Sequence, residues 1–402
     1  MICVVGVGLE GVASASPRGR RLLVQAEVVI GADRHLAMVD TCAARKVRWD
    51  GVPDHLGELL AEQTGASIVV LASGDPNLFG IGVTLVEQLG VDAVDIEPSV
   101  SSLQLALARA RVPAAGAMLV SAHGRSLAAA AGQAAAARRA AILTDTRHDP
   151  AAVAAALVKA GVESHARLLV CERLGGPDER VREGTVAKPP ARPFDPLAVV
   201  VLDRLAASGP GLGRSEDEYE HEVGQITKAE VRAIVIAALD PGPEDVVWDI
   251  GTGSGSVAIE AGRLAARGVV YAIERRPDRA EQARRNAARS WNVEVLTGEA
   301  LDLLPGLPSP DAVFLGGGGD EISGLVQNSL ARLRERSSPI PGRLVAGLAT
   351  LDSVLEATDV LRRAGLEWRL SQVSVARGRE LNGRLGWEAL NPVHVLSTVV
   401  PR

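Results

Sequence analysis

Residues Val246 to Glu260 read VVWDIGTGSGSVAIE, an apolar run that passes directly into a glycine-rich turn and then into a helical segment. Gly251, Gly253 and Gly255 allow a tight turn and a close approach of backbone to ligand that side chains would obstruct. Glycine-rich turns also arise for steric reasons alone, so the neighbours decide. Asp249 closes the strand before the turn. A second apolar run, Val269 to Ile273, ends in Glu274 at the spacing where an acid reaches ribose hydroxyls. The stretch predicts strand, adenosine-binding turn and helix in the order of a doubly wound α/β domain.

The loop spacing narrows the ligand. Dinucleotide folds read G-x-G-x-x-G, which sets a helix N-terminus against a pyrophosphate, whereas this chain reads D-I-G-T-G-S-G. That spacing, with an acid just before the first glycine, resembles S-adenosylmethionine-dependent methyltransferases of the doubly wound class, whose cofactor has no pyrophosphate. On the same likeness, GEALDLL after the strand Val293 to Leu296 is the adenine-side loop. PDAVFLGGGGD, from Pro310, is then a fourth strand opening over the methyl group.

Working outward, the chain has 402 residues, more than one ordinary core holds, and its 47% hydrophobic and 23% charged residues suit a globular protein. Cys3, Cys42 and Cys171 show no C-x-x-C spacing, so neither a zinc site nor a disulfide framework is indicated, and a reducing, cytoplasmic setting fits. No run reaches membrane-spanning length, and MICVVGVG reads as a first strand rather than a signal peptide, so no membrane partner is expected. A net charge of -6 with five Trp, two Tyr and three Phe lacks the basic clusters and stacking platforms of a nucleic-acid surface. A small-molecule substrate, no nucleic acid and no metal are expected.

The chain breaks most naturally between Leu205 and Gln225, where AASGPGLGRSEDEYEHEVGQ supplies glycine, proline and a run of acids after the strand Leu197 to Leu202. The expected organisation is a domain over 1–205, a linker over 206–224 and a second domain over 225–402. Ile226 to Leu239 reads as a helix with Val231, Ile234, Val235 and Ala238 on its apolar face. Thr227 is its expected N-cap, with Glu230 completing a capping box.

The first half also alternates strands and helices, and each polar cluster follows a strand. GVGLEG follows Ile2 to Val5, ASGDPNLFGIG follows Ile68 to Leu71, SAHGR follows Met118 to Val120, and TDTRHDP follows Ala141 to Leu143. In open α/β sheets such clusters gather at the carboxyl edge, where ligands bind. Singly, each has a plainer reading: GVGLEG as a turn, Ser99 to Ser102 as a helix cap, His123 as an ordinary surface or core histidine.

Taken together, GVGLEG, GADRHL, LASGDPNLFGIG, EPSVSSLQLALA, SAHGR and CERLGGPDER resemble the tetrapyrrole methyltransferase family of corrin biosynthesis, in its branch that methylates the precorrin-6 stage. The second half, from ITKAEVRA through VVWDIGTGSGSVAIEA, YAIERRP, GEA, PDAVFLGGGG and ARGRELNG to WEALNPV, resembles the partner enzyme of the same step. The resemblance covers nearly the whole chain apart from the linker. It implies a fusion that methylates a precorrin-6 intermediate at carbons 5 and 15 with decarboxylation of an acetate, giving precorrin-8, in cobalamin biosynthesis. A two-domain methyltransferase acting on another acceptor, such as RNA or protein, is the alternative.

The resemblance also implies an N-terminal tetrapyrrole methyltransferase fold of two α/β subdomains, a C-terminal Rossmann-like domain, one S-adenosylmethionine per domain and a homo-oligomer. It places Ser73, Gly74, Asp75, Ser101 and Ser102 on the first cofactor, and Gly6, Gly8, Gly11 and His123 on the tetrapyrrole face. Leu9 and Glu10 stand where many relatives carry proline and glycine. In the second domain it places Thr227, Gly251, Thr252, Gly253, Ser254, Gly255, Glu274, Glu299 and Ala300 on the cofactor, with Leu301 replacing a common proline. The first domain would methylate carbon 5; the second would methylate carbon 15 and decarboxylate.

Such chemistry asks little of acid or base catalysis, since a sulfonium methyl is already activated and positioning supplies most of the rate. This accounts for the absence of an evident nucleophile-base dyad. A corrin precursor carries many carboxylates, which arginine forks bind bidentately. Arg377, Arg379 and Arg384 are expected as substrate anchors, the alternative being ordinary solvated arginines.

Overall fold

The computed structural model describes residues 1–40, 42–63, 65–205, 212–222, 224–317, 319–381 and 383–401. The chain divides into two compact units, Met1–Ala207 and Ser208–Arg402.

The first unit holds two five-stranded sheets. One is built from β1 (Ile2–Val7), β2 (Val28–Gly31), β3 (Arg45–Arg48), β4 (Ile68–Ser73) and β5 (Val94–Glu97) in the order β3-β2-β4-β1-β5. All its pairings are parallel. Strands of such sheets are covered on both faces and read as continuous apolar runs, as in IVVLAS of β4, which is buried up to its last residue. Parallel pairing sets the turns after β1, β4 and β5 side by side at one edge.

The other sheet contains β6 (Met118–Ser121), β7 (Arg139–Leu143), β8 (Arg167–Glu172), β9 (Arg180–Thr185) and β10 (Ala198–Asp203) in the order β6-β7-β10-β8-β9. Only β6 and β7 pair in parallel; the rest are antiparallel. The edge strand β9, RVREGT, begins at the last residue of the polar CERLGGPDER segment and carries no buried residue to mark it as a strand. It pairs with β8, where buried Glu172 takes both prongs of the Arg182 fork at 2.9 and 3.1 Å.

The second unit is a seven-stranded sheet of β11 (Val246–Ile250), β12 (Val269–Glu274), β13 (Val293–Thr297), β14 (Ala312–Leu315), β15 (Gly342–Leu348), β16 (Trp368–Val373) and β19 (Val393–Val400), ordered β13-β12-β11-β14-β15-β19-β16. A separate hairpin joins β17 (Ala376–Leu381) to β18 (Arg384–Ala389). Strand β11 lies between β12 and β14, so the crossovers leave it in opposite directions and the glycine turn sits at the switch point, where doubly wound sheets bind ligands. The α/β fold class read from the sequence is borne out, down to the Rossmann-like order of the second sheet.

The structure corrects two local expectations. Residues 206–211 and 223 of the expected linker lie outside the described residues, but Gly213 to Tyr219 are folded into the second unit. The backbone N–H groups of Gly213 and Arg214 donate to the buried Glu260 carboxylate at 2.8 and 3.1 Å. Tyr219 is itself buried, with its hydroxyl 3.3 Å from the same carboxylate. The expected helix from Ile226 runs over Ala229–Leu239, with Lys228 at the N-cap and no capping side chain of its own. Glu216 replaces the Thr227 cap by accepting the Ala229 N–H at 2.8 Å, while Glu230 turns to Arg377.

Candidate cofactor and substrate sites

In the second unit the site is built at the end of β11. Gly251, Gly253 and Gly255 have φ of 76°, 55° and 79°, the left-handed region that favours glycine. The nearest atoms to a Cβ placed at Gly251 or Gly253 are 3.7 and 3.8 Å away, so the space above the first part of the loop is open. At Gly255 the same position meets Ala283 at 3.3 Å, because the helix Pro277–Asn286 packs there. Gly316, after β14, would put a Cβ 2.6 Å from the Gly251 carbonyl oxygen, which holds the two turns together.

Two carboxylates support the loop. Glu274, buried at the end of β12, accepts the N–H groups of Gly253 and Arg276, each at 3.0 Å. Asp249 accepts the Thr252 hydroxyl at 2.6 Å and the Ala258 N–H at 2.9 Å through Oδ2, while its Oδ1 is buried without a partner. Burial pushes the Asp249 carboxyl up to about 7, against the lowering effect of those two hydrogen bonds. The Ser254 hydroxyl is likewise buried and unpartnered. An open cradle of left-handed glycines, bordered by orphaned acceptor and donor atoms and by two acids, fits an adenosine-containing sulfonium cation.

The first unit solves the same problem with backbone packing. A Cβ at Gly6 would lie 1.8 Å from the Gly74 carbonyl oxygen and 2.8 Å from the Ser99 nitrogen; at Gly74, itself at φ 59°, it would lie 2.9 Å from the Ser101 Cα. The turns after β1, β4 and β5 are thereby locked backbone to backbone, and Ser99 N–H donates to the Gly74 carbonyl at 3.0 Å. Asp75 orders its own turn by accepting the Asn77 N–H at 2.9 Å. Ser101 caps the helix Ser102–Ala110 in a full capping box with Gln104, and Ser102 is the exposed first residue of that helix. Ser73 receives a hydrogen bond from, or donates one to, the His35 Nε2 at 2.8 Å.

Both units find counterparts among known proteins. Residues 1–190 match the family model of tetrapyrrole (corrin/porphyrin) methylases and residues 217–400 that of the precorrin methyltransferase domain. Over 400 residues the chain is 35% identical to a precorrin-6Y C(5,15)-methyltransferase (decarboxylating) of Sinorhizobium sp, across 98% of this chain and 94% of that protein. The chain belongs to this precorrin-6Y C(5,15)-methyltransferase family. Shorter relatives cover about half of it. A probable cobalt-precorrin-6B C(15)-methyltransferase (decarboxylating) of Pyrobaculum aerophilum is 36% identical over 46% of this chain and 94% of its own. A cobalt-precorrin-7 C(5)-methyltransferase of Salmonella typhimurium is 32% identical over 50% of this chain and 99% of its own.

Against this member of the precorrin-6Y methyltransferase family, the remaining expectations fall as follows. Thr227 leads into the helix Ala229–Leu239, and the Gln225 carbonyl just before it lies 3.8 Å from the Cβ position of Gly253, beside the glycine turn. Glu299 and Ala300 begin the short helix after β13, Glu299 exposed and Ala300 half-buried. Gly8 donates its N–H to Ser14, and Gly11 turns at φ 62° with the Met38 carbonyl 2.3 Å from its Cβ position. Gly6 and Gly11 are therefore glycine because backbone fills their side-chain space. His123 is exposed on the SAHGR loop.

Arg377 is corrected. Its fork is closed on Glu216 and Glu230 by contacts of 2.6 to 3.1 Å, leaving no free pair of donors for a substrate carboxylate. Burial raises the Glu216 carboxyl, but Arg377 and the Ala229 N–H outweigh it and hold it down to about 2. Arg379 lies 3.5 Å from Glu388 across the exposed hairpin. Arg384 makes no ion pair among the described residues and is exposed.

Reading the sequence missed the buried Arg232–Glu260 pair, 2.6 Å apart with both side chains fully buried. Its signal was there: Arg232 and Glu260 each interrupt an otherwise apolar helical face. It also missed His35 of GADRHL, buried behind Ser73 with its imidazole lowered to about 4 by burial and by neighbouring Arg34.

Proposed function

We propose that each unit holds its own S-adenosylmethionine, the first unit methylating carbon 5 of the precorrin intermediate and the second methylating carbon 15 and removing carbon dioxide. Family membership makes the overall reaction the S-adenosylmethionine-dependent methylation of a precorrin-6 intermediate at both carbons with decarboxylation. The observation that carries the division is the presence of two unlike cradles in two separate units: an open left-handed glycine loop at Gly251 to Gly255, and a backbone-locked stack of turns at Gly6, Gly74 and Ser99. Relatives that carry the carbon-15 or the carbon-5 activity in about half this length support the same division.

S-adenosylmethionine, when bound, supplies an already activated methyl group. The chain's residues then have to hold and orient. Gly251 and Gly253 admit the ligand against the backbone, Glu274 fixes the loop through Gly253, and its carboxylate favours a cation in the cradle. Thr227, Thr252, Ser254, Glu299 and Ala300 border this cofactor, and Ser73, Gly74, Asp75, Ser101 and Ser102 the first one. The tetrapyrrole lies against Gly8 and His123 when the first unit acts on it and against Arg379 and Arg384 when the second does, and the enzyme works as a cytoplasmic homo-oligomer.

Calorimetric titration of the full chain with S-adenosylhomocysteine tests the reading. Two sites per chain are expected, one of them lost in Gly253→Val. A single site in the unmodified chain removes the two-cofactor reading. Gly253→Val should fail to methylate carbon 15 of the precorrin-6 intermediate, yet still transfer a methyl to carbon 5 when given the carbon-15-methylated intermediate.

A further inference from the structure

We propose that Arg125, laid over the ring of Phe79, binds one carboxylate of the tetrapyrrole substrate at the rim of the first unit's site. The inference rests on the reading that this unit methylates carbon 5, and it names a residue for recognising the substrate there.

The guanidinium carbon of Arg125 stands 5.3 Å from the centre of the Phe79 ring. Other arginines of the same unit are closed on carboxylates: Arg173 on Asp195, Arg182 on Glu172 and Arg204 on Glu163. The Arg125 side chain makes neither an ion pair nor a hydrogen bond among the described residues, and the residue is exposed. Its one partner is a ring face, which holds a guanidinium plane in place while leaving its edge donors free.

The platform is itself costly. Phe79 has φ 59°, a backbone conformation that bulky residues rarely adopt, and its side chain remains 38% exposed. Neither the strain nor the exposure serves the core, and strain maintained at a ligand edge points to function. The turn that imposes it begins at Asp75, which accepts the Asn77 N–H through its side chain and the Leu78 N–H through its carbonyl, at 2.9 and 3.0 Å. Phe79 thus belongs to the same turn as Gly74 and Asp75.

The Arg125 side is equally prepared. Gly124, at φ 63°, donates its N–H to Asp145 at 3.0 Å, and His148 Nδ1 lies 2.8 Å from the Ala122 carbonyl. The TDTRHDP segment after β7 therefore fixes the SAHGR loop after β6. Phe79 follows β4 in one sheet and Arg125 follows β6 in the other, so the pair bridges the loops of both sheets over a pocket of about 290 Å³. Glu87 lines the same pocket without pairing to Arg125. A fork held flat and unpaired matches a carboxylate bidentately, and the substrate class carries many.

The test measures the carbon-5 step in the full chain, with the carbon-15-methylated intermediate as substrate. Arg125→Ala should raise KM about tenfold to a hundredfold with a smaller change in kcat, the loss expected for a charge-assisted bidentate contact. Arg125→Lys, which keeps the charge but not the fork, should fall between. Phe79→Leu should raise KM about two- to fivefold by removing the platform. S-adenosylhomocysteine affinity and melting temperature report any general damage. Unchanged KM in Arg125→Ala, or a full return to the unsubstituted KM in Arg125→Lys, overturns the proposal. Failure of the unsubstituted chain to transfer a methyl to carbon 5 refutes instead the reading of the first unit, so the two failures are distinct.

Discussion

Replacing Glu260 by glutamine removes one negative charge from the centre of the second unit and leaves shape nearly unchanged. The Glu260 carboxylate accepts Arg232 Nε at 2.6 Å, the Gly213 and Arg214 N–H groups at 2.8 and 3.1 Å, and the Tyr219 hydroxyl at 3.3 Å. An amide can satisfy the donors on one oxygen only; its NH2 group then faces the remaining N–H, and the fully buried Arg232 charge loses its counterion. Breaking a buried pair in this way costs about 3–5 kcal/mol. At roughly 2–4 °C per kcal/mol for a domain of this size, the unfolding transition of the second unit should fall by about 6–20 °C. Calorimetry of the full chain reads this directly. Because Arg232 also donates to the Thr227 carbonyl at 2.5 Å, beside the glycine turn, affinity for S-adenosylhomocysteine in that unit should drop as well. The paired change Arg232→Met with Glu260→Leu should recover much of the loss, since an apolar pair leaves no buried charge. A melting shift under about 2 °C in Glu260→Gln would show that the pair does not hold the segment, and would refute the reasoning.

Other outcomes follow from the same geometry. Gly6→Ala places a methyl 1.8 Å from a backbone oxygen, so the stack of turns must part; cofactor binding in the first unit should be lost while the second unit still binds, as calorimetric stoichiometry will show. Asp249, with its folded value raised to about 7, keeps a proton that the unfolded chain releases, so its contribution to stability falls as pH rises from about 4 to 7. Asp249→Asn should flatten that slope in denaturant titrations at pH 5 and 8; an unaltered slope would assign it to other groups. Arg377→Ala should lower the melting temperature by a few degrees through Glu216 and Glu230, with substrate KM unmoved; a raised KM would restore Arg377 to the substrate site.

The second unit was the more legible because its motif is local: the strand, the three glycines and Glu274 lie within thirty residues of one another, and period and spacing suffice to place them. The burial and orphaned oxygen of Asp249 were not legible, since they depend on β12 and β14 closing over it. In the first unit the polar clusters after each strand identified the carboxyl edge, but the reason for Gly6 lies in residues 74 and 99, far along the chain. Ser101 had a plain local reading as a helix cap, and the structure shows that role filled. Strands β9, β17 and β18 escaped because exposed strands lack the apolar run or alternation that marks a buried face. Arg377 looked like an anchor because its partners, Glu216 and Glu230, stand about 150 positions earlier.

The donors that Gly213 and Arg214 offer to Glu260 also decide where this chain can be severed. A gene for the second half begun at Gln225, where strand and helix patterns resume, would strand the Glu260 carboxylate without two of its backbone partners and leave Arg377 without Glu216. Begun before Leu212, it would carry its own lining with it. Any separation of the two activities by truncation depends on those dozen residues, which must travel with the second half.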